Sequence, residues 1–169
     1  MGFSEPVEIQ SGADAFVQSA LFARTFREGM ALVEETAAYL DGEGRISSKE
    51  LSRDAAMAYA GASMRLTTQL MQIASWLLVL RAVRENEMGL DEAAEPKYRL
   101  DVLGEESVDE RIGLPEKLLL LIENARQLYG RISRLDAHIF SVETADEGQS
   151  NVALQHRTLA EAFGAKSKA

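Results

Sequence analysis

The sequence predicts an all-α protein: three long antiparallel helices forming a bundle, with an acidic linker and a flexible C-terminal tail. Three observations carry that prediction. Only 3 of the 169 residues are proline and aromatics make up 7%, while Ala, Leu, Glu and Arg are abundant, a mixture that favours helix over sheet. Three separate stretches repeat apolar residues at spacings of three and four. No proline interrupts the chain between Pro6 and Pro96. At 18.6 kDa the chain has the size of one ordinary domain. A chain of that size buries roughly two-thirds of its unfolded surface, enough to fold without disulfides or metal.

The first helix is expected from about Phe16 to Leu40. Phe26, Met30, Val33, Ala37 and Leu40 form its apolar stripe, Asp14 can cap its start, and the Asp41-Gly42-Glu43-Gly44 turn ends it. The second helix is expected to open with a capping box, Ser47 with Glu50, and to run to Glu87 before Gly89 breaks it. It carries two apolar stripes. Leu51, Ala55, Ala58, Ala62, Leu66, Leu70, Ile73, Leu77 and Leu80 form one; Met57, Met64, Met71 and Leu78, seven apart, form the other. A helix with two such stripes is contacted on more than one side and is central in the fold. The third helix is expected from Pro115, a favoured first-turn residue, to about Val142. Leu118, Ile122, Ala125, Tyr129, Ile132, Leu135 and Ile139 keep its period, with Arg126, Arg131 and Arg134 outside.

Domain boundaries follow from these elements. Residues 1–15 form an N-terminal extension, 16–143 the three-helix bundle with an acidic linker at 88–114, and 144–169 a flexible tail. Residues 85–116 hold 11 acidic and 3 basic residues, so −8 of the formal net charge of −9 is local. A 27-residue connection is far longer than the usual loop. A short helix at Asp91 to Glu95, ended by Pro96, and an extended strap at Tyr98, Leu100, Val102 and Leu103 are expected in it. Its like charges and broken apolar pattern make it dispensable for folding on this reading. At ~1.5 Å per residue the second helix spans about 60 Å and the others about 40 Å. The apolar end of helix two (Ile73, Trp76, Leu77, Leu80, Val83) then lacks helix one as a partner. A second subunit is one way to cover it, and Met64, Met71, Ile73, Trp76, Leu77 and Leu80 are the expected homodimer interface.

Composition also excludes functions. With no Cys there is no disulfide framework, thiolate nucleophile or cysteine zinc site, which fits a reducing compartment. The net charge of −9 repels nucleic acid on average. Met1 to Asp14 carries acidic and no basic residues, unlike a secretory or transit peptide, and the apolar run Leu66 to Leu80 is shorter than a membrane span. A cytoplasmic protein without membrane insertion is expected.

The search for chemistry assigns no catalytic, metal or cofactor-binding residue. His138 and His156 lack a ligand at metal spacing, and Glu34-Glu35 lacks the Glu-x-x-His of a di-iron bundle. Gly42-Glu43-Gly44-Arg45 has neither the preceding strand nor the following Lys of a phosphate loop. Ser63 and Ser75 have no His or Lys partner in the sequence. Arg65, Arg81 and Arg84 either solubilise helix two or grip an acidic partner or the linker. The Met stripe is core or an adaptable docking face. In the tail, Val152, Leu159 and Phe163 fall at spacings of seven and four, with Leu154 beside them, a face that can fold onto a partner.

The runs Phe26-Arg27-Glu28-Gly29-Met30-Ala31-Leu32-Val33-Glu34-Glu35 and Gln69-Leu70-Met71-Gln72-Ile73-Ala74-Ser75-Trp76-Leu77-Leu78 carry a family resemblance. Leu128-Tyr129-Gly130-Arg131-Ile132-Ser133-Arg134-Leu135-Asp136 carries it too. The chain resembles the RcdA (regulator of CtrA degradation) family of alphaproteobacteria over about Phe22 to Leu90 and Gly113 to Ile139. The resemblance implies a dimerising three-helix bundle that acts as a non-enzymatic adaptor for the protease ClpXP. It implies work with a response-regulator partner and a cyclic-di-GMP-binding partner at the cell pole, delivering cell-cycle regulators such as CtrA through a functional tail. The alternative from the residues alone is a small-molecule-sensing or enzymatic helical bundle, which needs a polar pocket, for example one lined by Arg65, Gln69 and Glu35.

Overall fold

Ser19 decides where the first long helix begins. Its hydroxyl accepts from the Phe22 backbone N–H and donates to the Phe16 carbonyl, and its backbone is extended. The stretch expected as one helix is therefore two, α1 (Gly12–Val17) and α2 (Ala20–Asp41). The computed structural model describes residues 12–101 and 113–164, with side chains up to Phe140. All regular structure among them is helical, as the sequence predicts.

Gly42 closes α2 by donating its N–H to the Ala38 carbonyl, and α3 (Glu43–Ser47) follows at once. The expected capping box is not used. Ser47 ends α3, Glu50 sits in a 3₁₀ turn (Ser48–Glu50), and Leu51 is extended, so the chain turns before α4 (Arg53–Arg84) begins. Ser52 caps α4 instead, accepting from the Ala55 N–H at 3.3 Å. The far end comes at Arg84 rather than Glu87, because Asn86 takes a left-handed backbone (φ 59°) that asparagine tolerates.

By length and composition alone α4 could cross a bilayer, with a mean hydropathy of 1.3 over 18 residues. A core helix passes the same test, and nine of its residues are buried inside the bundle.

The connection after α4 forms α5 (Leu90–Ala93) and a 3₁₀ turn (Pro96–Tyr98), then leads to α6 (Glu116–Gly164). The expected helix near 91–95 is thus present but shorter, and Pro96 begins the next turn. The backbone of α6 stays helical through Gly164, where a flexible tail is expected. No proline follows Pro115, and the added stretch is rich in helix formers.

Helix directions depart from the expected return. α2 is antiparallel to α4: Gly29 faces Ile73 and Leu77, while Gly44 faces Tyr59. α6, however, runs parallel to α4. Gly113 lies against Ala55 near the start of α4, and Asp136 of α6 meets Trp76 far along it. The connection must therefore retrace the bundle, and its residues 99–101 already head back along α6. Arg99 sits on Asp136 and the Asp101 carbonyl accepts from the Tyr129 hydroxyl on the way back to Gly113. Length is explained by direction: parallel neighbours need a crossover where antiparallel ones need only a turn.

The predicted overhang is absent for the same reason of alignment. α2 lies along α4 far enough for Phe26 to stack under Arg81 at 5.5 Å, and Gln18 donates to the Arg84 carbonyl. α1 adds Ala13 and Val17 to the core at that end. Nor is the connection empty of packing. Ala93 is buried, and Leu90, Ala94 and Leu100 pack against the core, so the expectation that it buries little fails for residues 90–100. Val102 and Leu103 of the expected strap lie outside the described residues.

The closest helix approach is at Gly29. A Cβ there would fall 2.4 Å from Leu77 Cδ1, and Leu77 is fully buried. Gly29→Val is expected to lower unfolding free energy by ~1–3 kcal/mol in urea titration through overpacking, with α-helical content retained. Arg99→Met is expected to cost ~1–3 kcal/mol, since it removes charge-assisted bonds to a buried carboxylate. Trp76, the single tryptophan, reports the second change directly: its emission should shift to longer wavelength as water reaches Asp136.

Candidate functional site

Among the described residues no group of three or more His, Cys, Asp or Glu could hold a metal ion. A groove of about 710 Å³ runs between α2 and α6. Glu28 and Glu35 of α2 line it opposite Arg126, Arg131 and Arg134 of α6. Its charges are largely spent on each other: Glu28 pairs with Arg131, Glu35 with Lys117, and Arg126 with Glu123 at 2.7 Å. Of the pocket residues expected for a sensor, Glu35 lines this groove, whereas Arg65 and Gln69 belong to α4 and do not. The arrangement offers opposed ion pairs along an open trough, not polar groups converging on one reacting atom.

His138 is exposed, and its near neighbour Asp136 is the buried member of that turn. Asp136 is held at three points. Trp76 Nε1 donates to Oδ1 at 2.9 Å, and Arg99 forks onto both oxygens through Nε and Nη2, at 2.7 to 3.0 Å. The Arg99 guanidinium also lies 4.4 Å over the Phe140 ring. Nothing in the sequence pairs Arg99 with Asp136, although an acidic residue at a core position of the third stripe was a readable signal.

A second buried polar group sits at the α2–α3–α4 corner. The Tyr39 and Tyr59 hydroxyls, with Thr36 and Ser63, are buried without a hydrogen-bond partner. Burial pushes the Tyr39 phenol above its ordinary value, with Tyr59 and then Glu43 adding to the rise. Gly44 fits over these rings because a Cβ would stand 2.6 Å from the Tyr59 hydroxyl.

The residues expected at a dimer interface separate into two sets. Ile73, Trp76, Leu77 and Leu80 are buried in the chain's own core, because α2 and α6 both pack along α4. They present no surface to a partner, which corrects that part of the expectation. Met64 and Met71 do. With Met57 and Leu78 they are 72%, 65%, 69% and 51% exposed, and they line the outer face of α4. The heptad stripe is therefore surface, not a second core contact. Arg81 is engaged with Phe26 and with Glu85 at 2.8 Å. Val152, Leu154, Leu159 and Phe163 fall on the helical backbone of α6, with side chains outside the described residues.

The outer face of α4 is thus an exposed apolar stripe, with Met57, Met64, Met71 and Leu78 on it. For the buried phenols, Tyr59→Phe is expected to leave stability unchanged or raise it by up to ~1 kcal/mol, since the hydroxyl lacks a partner. A loss larger than that in thermal unfolding would show that the hydroxyl is satisfied, for instance by ordered water.

Comparison with known proteins places the chain in a family. Residues 13–163 match the family model described as "Protein of unknown function (DUF1465)". No curated protein matches the chain. Among solved structures, RcdA from Caulobacter crescentus CB15 is similar, at 51% identity with a TM-score of 0.63. The match covers 76% of this chain and 98% of that one. The chain belongs to the DUF1465 family by its family match and to the RcdA family by its solved relative.

Proposed function

We propose that this protein is a non-enzymatic adaptor of regulated proteolysis that helps deliver cell-cycle regulators such as CtrA to ClpXP. The observation that carries the reading is 51% identity to RcdA across 98% of that chain. On this reading it works by protein–protein contact, together with a response-regulator partner and a cyclic-di-GMP-binding partner, in the cytoplasm and recruited to the cell pole. It acts as a homodimer whose α4 faces, including Met64 and Met71, meet. Physical features support the reading. The exposed Met face of α4 suits an adaptable interface, and the α2–α6 groove is lined by mutually paired charges.

The test is reconstituted degradation of CtrA by ClpXP with the two partner proteins. The chain is expected to accelerate degradation several-fold, and no acceleration with any substrate would refute the reading. Deleting residues 145–169 is expected to abolish delivery of at least one substrate while leaving the melting temperature nearly unchanged. Val152, Leu154, Leu159 and Phe163 are the proposed contacts, and a segment that binds through so few apolar groups releases its partner readily. Full delivery by the truncated chain would move recognition to the bundle surface.

A further inference from the structure

Arg134 lines the α2–α6 groove without a carboxylate partner among the described residues. The other charges of the groove are matched: Arg131 with Glu28, Arg126 with Glu123, and Glu35 with Lys117. Arg134 is nevertheless turned along the groove rather than away from it. Its Nη1 lies back over Gly130, 3.7 Å from where a Cβ of that glycine would stand. With no side chain at Gly130, the guanidinium and any group that meets it have room beside the helix.

Helix register extends the positive charge beyond this residue. The Glu28–Arg131 pair joins α2 to α6, which run antiparallel. Arg24 stands one turn before Glu28 on α2 and shares its side, and Arg134 stands about one turn after Arg131 on α6. The two arginines therefore approach the same end of the groove from opposite walls, and both are exposed. Arg24 also has no carboxylate partner among the described residues, and Asp14 of the neighbouring α1 is engaged in a contact of its own. In a chain of net charge −9, this end of the groove is locally positive. Between the charged rims the groove shows Ala31, Leu32 and Gly130, small or apolar positions. From Asn124 to Arg134 the wall is about 15 Å long, a distance that an extended peptide crosses with about five residues.

We propose that this end of the α2–α6 groove docks an acidic segment of a partner protein. Carboxylates of the segment meet Arg134 and Arg24, and an apolar side chain beside them lies on Ala31 and Gly130. A guanidinium takes a carboxylate as a two-pronged fork, and Arg134 spends neither prong on a carboxylate among the described residues. The glutamates of the α2 wall do not oppose the segment, because Arg131 and Lys117 already neutralise them. This docking rests on the reading that the protein works by protein–protein contact, and it supplies a surface and a partner chemistry.

The probe is a fluorescein-labelled hexapeptide of alternating glutamate and leucine, titrated with the full chain and read by fluorescence anisotropy. A hexapeptide of alternating lysine and leucine is the charge control. The acidic probe is expected to bind at least about 10-fold tighter than the control, and to weaken steeply as salt rises. Arg134→Glu is expected to weaken it at least about 10-fold, whereas Arg45→Glu, an exposed reversal on α3, changes it by less than about two-fold. Gly130→Leu fills the space between the rims without changing charge and is expected to weaken the probe as well. Arg134→Glu breaks no ion pair of the described structure, so its circular dichroism spectrum and melting temperature are expected to stay unchanged. Equal losses in Arg134→Glu and Arg45→Glu would reduce the effect to net charge and overturn the site. Displacement of the probe by inorganic phosphate at the same concentration would overturn the peptide in favour of a small anion. Equal binding of the lysine peptide, or no binding of either, would overturn the docking outright. A chain that binds the probe through Arg134 yet delivers no substrate in the degradation assay refutes the adaptor reading and leaves this site standing.

Discussion

One buried carboxylate, Asp136, ties together the three parts of the chain that could otherwise slide. It sits on α6, takes the indole N–H of Trp76 from α4, and takes the guanidinium fork of Arg99 from the crossover. A charged group in a core is costly unless donors surround it, so the arrangement is satisfied in one register and penalised in others. Sliding α6 by a turn against α4 would strip the carboxylate of the indole. Lifting the crossover would strip it of Arg99 and uncover Phe140, over which Arg99 lies. Parallel helices have no short turn between them to set their stagger, and here a polar contact does so.

The other fixed point is steric. Gly29 lets α2 come close enough for Leu77 to occupy the place of a side chain, with Ile73 and Leu128 next nearest. Three helices thus meet around a residue without a Cβ. The consequence reaches the surface: with α2 and α6 both close along α4, the large apolar residues of its inner side are consumed by the monomer. What α4 has left exposed is its outer stripe of methionines and small residues. The fold therefore places the uncharged face of an otherwise acidic protein on its central helix.

Charge is distributed in keeping with that division. The acidic excess of the sequence lies within residues 85–116. The α2–α6 groove, by contrast, balances glutamates against arginines and a lysine.

The all-α class, the three long stripes and the locality of the acidic charge were legible from the residues, because helical periodicity and charge are properties of neighbours in sequence. Ser52 rather than Ser47 capping α4, and Ser19 splitting the first helix, were not. Several serines are competent caps, and the choice depends on where the chain must turn to pack. Direction was hidden for a deeper reason. A long connection allows α6 to run either way, and only the meeting of Arg99 and Trp76 on Asp136, residues 37 and 60 positions distant from it, selects one. The same holds for the two stripes of α4. By itself the sequence determined that both are apolar, and the tertiary structure decided which one became core, because burial depends on what packs alongside and not on the helix alone.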